Sequence, residues 1–424
     1  MGKASVFRLV CAGIMLLPAT TGALLPESTY ARRQFLEYMT APFHRFQEPL
    51  REYLIAPGED DVLVRTYEQA GARYYVFLHP QRDVFDVDAP GTWIIRRRLD
   101  NGDIDQIKIF LQPHEGSFLR LTPAGRTTRM EVSLAGAVVY RNVPVPISMQ
   151  RALVASFEMI RRATAGIVDW GLLLVDADHP GYATVAEMVS SVRPLLPGLP
   201  DAEDGAMDSE GNLVFIETLE AMGVDRGFNC SGFAKWIVDG IYGPRTGRYL
   251  AVEPLKRKHL NHRGTPWSEP LEDSRDPWFG LDWTRNLAGA VAALDHDGVA
   301  TVIEPTARDV RDVPFTPYIP NVGYAISDLQ AVLYWLALRE PGTIYLGSVS
   351  RSFGSAPVLR QHSHVVVFFP WFDSRGQFQL SVMERNVETG LVSLNRRYPG
   401  DFVHLVRVTP GEMFQPPPIP SSDH

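Results

Sequence analysis

Over residues 61–147 short apolar and β-branched runs alternate with polar turns, the runs falling at 62–67, 73–78, 92–99, 105–111, 118–121, 127–134 and 137–143. Branched and aromatic side chains fit a pleated, half-buried surface, so these runs read as strands. The Asn101-Gly102 pair between two of them predicts a two-residue hairpin turn, whose central residues need positive φ. Many short strands at this spacing predict a β-rich sandwich or barrel domain over 61–147.

On either side the period lengthens to three and four. Phe35, Leu36, Met39, Phe43, Phe46, Leu50 and Leu54 predict a helical N-terminal segment over 24–60. After the strands, Ser148 is placed to cap a helix with Leu153, Phe157 and Ile160 on one face, opening a helical connection over 148–212 that ends in an acidic, Gly- and Asp-rich loop. Phe215, Ile216, Leu219 and Met222 then predict a helix stopped by Gly223. Phe233, Trp236, Ile237 and Ile241 predict another, starting directly after Cys230. Further on come a helix over 327–339, a Pro341-Gly342 turn leading a strand, a buried strand through Val365, Val366, Val367, Phe368 and Phe369, turn chemistry at Asp373 and Ser374, and a strand over 378–383. The Pro-rich tail over 411–424 reads as extended and poorly ordered.

At 424 residues and 45% apolar the chain buries a full core and predicts two or three domains. A net charge of -8 argues against nucleic acid as a partner. The locally basic set Arg96, Arg97, Arg98, Arg120, Arg126 and Arg129 reads as a solvated sheet face. Lys3 and Arg8, an apolar run over 9–17 and small residues ending at Ala23 have the order of a secretory signal peptide, 1–23. That run, followed by Pro18, Thr20 and Thr21, is too short to span a bilayer, so the mature chain is expected without a stable membrane span and outside the cytoplasm. Cys11 would leave with the signal, and Cys230 would stand alone where cysteines normally pair, which marks it as a reactive thiol.

A thiol at a helix N-terminus is biased toward thiolate, and a nucleophile needs a base that is itself oriented by a third group. His364, which leads the apolar strand, is the candidate base, with His362 in reserve; two apart on a strand, both are expected on one face. A turn near Asp373 or Ser374 would put Met383 or Glu384 across from His364, so Glu384 is the candidate orienter and Asn386 the alternative. The Cys230 N–H would serve as oxyanion donor, and the chemistry needs neither metal nor cofactor. Two other readings stand beside it: a metal site using His362 and His364 with His404 or Glu384, and a binding or scaffold protein without catalysis.

Cys230-Ser231-Gly232 opening a helix, Pro341-Gly342-Thr343 leading a strand, His364-Val365-Val366-Val367 starting the next and Glu384 or Asn386 closing the set resemble the NlpC-type cell-wall endopeptidases and the wider papain-like cysteine peptidases. The resemblance covers about 213–410, with 243–324 as an insertion read as a substrate-side lid or an extra packing layer. It implies an α+β catalytic domain with helices packed on an antiparallel sheet, a peptide bond of bacterial cell-wall stem peptides as substrate, and a periplasmic or extracellular location.

Overall fold

The computed structural model describes residues 25–42, 45, 53–55, 61–80, 84–171, 173–223, 226–259, 276–295, 304–354, 359–411 and 413–419. The expected signal peptide, parts of the 24–60 segment, 260–275 and 296–303 of the expected insertion, and the last residues of the tail lie outside them.

The first half is one antiparallel meander of β1 (Tyr53–Ile55), β2 (Val62–Gln69), β3 (Ala72–Leu78), β4 (Trp93–Arg98), β5 (Ile104–Phe110), β6 (Phe118–Ala124), β7 (Thr127–Leu134) and β8 (Ala137–Val145), paired in chain order. A sandwich or barrel was expected here, but every strand belongs to one sheet order, and among the described residues no ladder joins β8 to β1. Helices rather than a second sheet cover the inner face. Val64, Tyr75, Phe77, Trp93, Ile95, Ile107, Ile109, Leu119, Leu121, Met130 and Val132 alternate into one core with Ala31, Phe35 and Met39 of the Thr29–Gln34 and Leu36–Thr40 helices and with Phe157 and Ile160 of the Phe157–Thr164 helix. A fully buried arginine pins these pieces together. The Arg32 guanidinium lies 3.6 Å from the Trp93 ring centroid, donates to the carbonyls of Leu153 and Ala155 at 3.2 and 2.7 Å, and pairs with Glu27 at 3.0 Å.

Two local expectations change. Gly102 has φ of 75° but Asn101 does not share it, and Arg97 pairs with Ile104, so the turn is a longer loop than a two-residue one. Within the basic set Arg97 is buried, donating to the Gly102 and Ala41 carbonyls, while Arg96, Arg98 and Arg120 pair with Asp105, Asp100 and Glu131.

The second half is a curled, six-stranded antiparallel half-barrel: β11 (Tyr324–Ala325), β12 (Ile344–Phe353), β13 (Leu359–Phe372), β14 (Phe378–Glu384), β15 (Val387–Thr389) and β16 (Phe402–Val408), in the order β11-β16-β12-β13-β14-β15. A small ribbon of β9 (Ala206–Met207) and β10 (Leu213–Val214) precedes it. The whole chain is therefore α+β. Its central strands are covered on both faces, which is why 365–369 runs apolar without alternation. Val365, Val367 and Phe369 pack with the Cys230–Thr246 and Phe279–Ala292 helices, whereas Val366 and Phe368 pack toward the Leu329–Arg339 helix. That last helix is buried nearly all round, because its other side meets β7 of the meander.

Two segments depart from expectation, and a third takes one of the two forms expected of it. The residues around 213–222 are not a helix: Leu213 and Val214 pair with Met207 and Ala206, the Met222 N–H returns to the Leu213 carbonyl, and Leu219 takes φ of 65°. The described part of the expected insertion is a packing layer, since Trp283, Leu287 and Val291 enter the core and the Trp283 indole donates to the Ser231 carbonyl at 2.9 Å. The Pro-rich tail is docked rather than loose, with the Gln415 N–H on the Gly240 carbonyl at 2.9 Å and the Trp236 indole donating to the Pro417 carbonyl at 3.0 Å. Gly240 leaves the room this needs, for a Cβ there would sit 2.5 Å from the Phe414 ring.

Deleting residues 412–424 should therefore strand the buried Trp236 donor, and loss of that hydrogen bond should lower unfolding free energy by about 1–3 kcal/mol. Urea unfolding followed by tryptophan fluorescence checks this; an unchanged midpoint would mean the tail contributes nothing.

Candidate active site

Cys230 is the first residue of its helix because several contacts fix the turn before it. Asn229 has extended backbone and its side-chain oxygen accepts the Gly232 N–H at 2.8 Å, a serviceable N-cap. The Asn229 N–H is in turn held by the Gly205 carbonyl at 3.1 Å. Gly232 must lack a side chain, since a Cβ would fall 1.9 Å from the Gly205 oxygen. The half-buried thiol thus stands at the positive end of a 17-residue helix.

Opposite it, β13 carries a bulge. Val349 pairs with His364 and Ser350 with His362, so Ser363 is the extra residue and the alternation flips across it. The two histidines therefore do not share a face as the sequence spacing predicts. His362 is buried against Trp278, ring centroids 5.4 Å apart, with its Nδ1 on the Ser348 hydroxyl at 2.9 Å. His364 points the other way, stacked on Tyr398 at 5.9 Å, its Nε2 donating to Glu384 Oε2 at 2.5 Å. With Nε2 engaged by the carboxylate, the ring nitrogen left to the thiol is Nδ1. The imidazole and thiol each favour the other's charged form, and the Val365 N–H acts on the sulfur in the same sense.

The ladder between β13 and β14 closes at Phe372 and Phe378 and ends at Val367 and Met383, a register centred on Arg375. Continued, it would set Asn386 opposite His364. It does not continue, because the chain turns at Arg385 and Asn386 so that Glu384 pairs with Val387 of β15. Glu384 is brought to the ring as expected, by this turn rather than by cross-strand pairing. Asn386 is not at the site; its side-chain nitrogen faces the Leu199 carbonyl at 3.5 Å.

Glu384 is itself held. Its Oε1 accepts from the Thr389 hydroxyl at 2.5 Å and from the Arg397 guanidinium at the end of the Leu391–Arg397 helix. Tyr398 caps that helix and covers the imidazole, with the Arg397 and Arg351 guanidinium carbons 5.4 and 5.2 Å from its ring centroid. The sequence reading passed over Thr389, Arg397 and Tyr398. Their one signal is a polar, basic helix end placed shortly after the carboxylate strand.

These contacts set the charges. Burial pushes the Cys230 thiol up, but the hydrogen bond and charge of His364, the Val365 N–H and the charge of Arg385 outweigh it and hold the thiol below its ordinary value. Burial pulls the His364 imidazole down, yet Cys230 and Glu384 outweigh it and lift it to about 9. For Glu384 burial acts upward, and hydrogen bonds from His364, Arg397 and Thr389 bring it down to about 2. The contacts thus favour a thiolate, an imidazolium and a carboxylate, with the positive charge between the two negative ones.

The histidine-based metal reading does not survive this geometry. His362 and His364 diverge, and His404 lies buried in another network, its Nε2 3.3 Å from both Arg285 and Asp309 and 3.2 Å from the Tyr318 hydroxyl. Burial is the largest influence on His362 and His404 and keeps both neutral. Among the described residues no group of three His, Cys, Asp or Glu is placed to hold a metal, and no helix is long and apolar enough to cross a membrane.

Set beside known proteins, the first half of the chain has a match: residues 21–172 fit the model of a domain of unknown function, DUF8515. Its span takes in the meander together with the helices that Arg32 and Glu27 tie to it. No curated protein and no solved structure matches the chain.

The His364 ring should titrate near pH 9 rather than in the ordinary imidazole range, and Glu384→Gln should lower that value by removing an anion that favours the charged ring. Ring proton and nitrogen shifts followed by NMR against pH read this directly. A midpoint near 6.5 in the unaltered chain would show that the ion pair does not form.

Proposed function

We propose that the C-terminal half is a cysteine hydrolase of papain-like, NlpC type, acting on an amide bond, with the stem peptides of the bacterial cell wall as its substrate class. The observation that carries this reading is the alignment of Cys230, His364 and Glu384, a thiol at a helix N-terminus paired with an imidazole whose far nitrogen is held by an anchored carboxylate. The antiparallel half-barrel backed by the cysteine helix supports the resemblance, and the N-terminal charge and apolar pattern supports export to the periplasm or beyond.

In this mechanism the Cys230 thiolate adds to the carbonyl carbon. The Cys230 N–H at the helix start stabilises the oxyanion, and the His364 imidazolium gives its proton to the departing amine, leaving a thioester. Neutral His364 then takes a proton from water as the hydroxide attacks the thioester, and the thiolate leaves with the imidazolium restored. Glu384 keeps the ring oriented and favours its charged form, the same division of labour as in serine triads. Tyr398, lying over the ring, limits water's access to the carboxylate-imidazole contact.

Cys230→Ala should abolish release of peptide fragments from purified cell wall, measured by mass spectrometry, with the circular dichroism spectrum unchanged. Undiminished release would refute the reading. Glu384→Gln should lower kcat about 10–100-fold by analogy with other groups that hold a catalytic ring, and Asn386→Ala should lower it less than about 2-fold. Because the leaving amine needs the imidazolium, hydrolysis should fall as pH rises through about 9, while alkylation of the Cys230 thiolate by iodoacetamide should not. Coincident alkaline limbs for the two reactions would assign the loss to something other than His364. For export, the mature envelope protein should begin near Leu24 on N-terminal sequencing; retention of Met1 would replace cleavage with anchoring.

A further inference from the structure

The turn that delivers Glu384 carries a feature the hydrolytic mechanism does not use. Arg385, the next residue, occupies the first central position of the two-residue turn between β14 and β15 with φ of 51°, a conformation in which glycine is the unstrained choice. Its guanidinium extends from that turn to the carboxylate of Asp201, Nη1 to Oδ2 at 3.2 Å. Asp201 belongs to the segment that forms a parallel bridge with Phe228, two residues before Cys230. The ion pair therefore reaches from the residue after the orienting carboxylate to a segment bridged to the one that leads into the nucleophile.

Both partners remain in contact with solvent, the Arg385 and Asp201 side chains being 33% and 46% exposed. An ion pair so exposed is weak and easily exchanged for another carboxylate. The Arg385 charge also reaches the sulfur, where it is among the influences favouring thiolate. Arg397 and Arg351, guanidinium groups beside the triad, are committed to Glu384 and to Asp401 with the Tyr398 ring.

We propose that Arg385 is a specificity-determining residue that binds a carboxylate of the substrate close to the scissile bond, with Asp201 as its resting partner. The preferred acyl donor is then an anionic peptide, one carrying a free carboxylate beside the amide that Cys230 attacks. A carboxylate on the substrate displaces Asp201 from the guanidinium, so the ground state releases one exposed ion pair as it forms another. The inference rests on Cys230 being the nucleophile, and its test separates the two.

The test compares two alkylating reagents on the full chain, iodoacetate, which carries a carboxylate, and iodoacetamide, which does not. Both report how much thiolate Cys230 holds, so the ratio of their rates cancels any change in thiolate content and reads attraction for the carboxylate alone. Arg385→Gln should lower the iodoacetate-to-iodoacetamide ratio about 2- to 5-fold, the range an exposed ion pair spans. Arg385→Lys should retain most of the ratio, and Asp201→Asn should raise it by freeing the guanidinium. An unchanged ratio in Arg385→Gln overturns the inference while leaving the nucleophile intact. An equal drop in Arg396→Gln, a neighbouring exposed arginine outside the site, also overturns it, because net charge alone would then account for the effect. If neither reagent modifies Cys230 near neutral pH, the nucleophile reading fails and the inference fails with it.

Discussion

A cation between two anions governs the C-terminal half. The His364 imidazole can be charged at neutral pH only because Glu384 on one nitrogen and Cys230 on the other both favour that form strongly enough to overcome burial. Glu384 could not do so if it were free to swing away or to take up a proton, and Thr389 and Arg397 prevent both by occupying its second oxygen. The short helix ending at Arg397 thereby acts on the thiol at one remove, through a carboxylate and a ring. None of these groups would meet without the extra residue at Ser363, since an unbulged β13 would turn His364 toward the same side as His362.

The parts of this arrangement differ in how plainly the sequence announces them. The strands of the meander were legible because each has one buried face, and alternation such as Val62, Val64 or Ile107, Ile109 is a local signal. The cysteine helix was legible for the same reason at a longer period, with Asn229 ahead of it as cap. The bulge was not, because Ser363 carries no backbone mark that a bulge requires. The register of β14 was misplaced because Asp373 and Ser374 look like the centre of a turn that in fact centres on Arg375. Glu384 was nonetheless the right residue to consider, through a second turn at Arg385 that no local pattern advertises.

Elsewhere the sequence misled for reasons that tertiary contacts explain. Phe215, Ile216, Leu219 and Met222 keep helical spacing, yet Leu213 and Val214 are drawn into a ribbon with Met207 and Ala206, and the chain folds back so that the Met222 N–H meets the Leu213 carbonyl. The proline tail has the composition of a disordered end, yet an extended chain without N–H donors suits a groove that offers it an indole donor from Trp236 and the open flank of Gly240. In both places the deciding partner lies outside the segment whose pattern misled.

The Leu329–Arg339 helix, packed between the half-barrel and β7, bears on how this chain came to be assembled. One continuous core runs from the meander through Tyr334 and Leu336 to Val366 and Phe368, and the Tyr334 hydroxyl meets Ser117 at 3.3 Å. A seam of that kind is the interior of a single body rather than the joint between two beads on a string. The span 21–172 fits a domain model on its own, yet here one of its strands, β7, packs against a helix supplied by the second half, so cutting the chain after that span would bare this apolar contact to water.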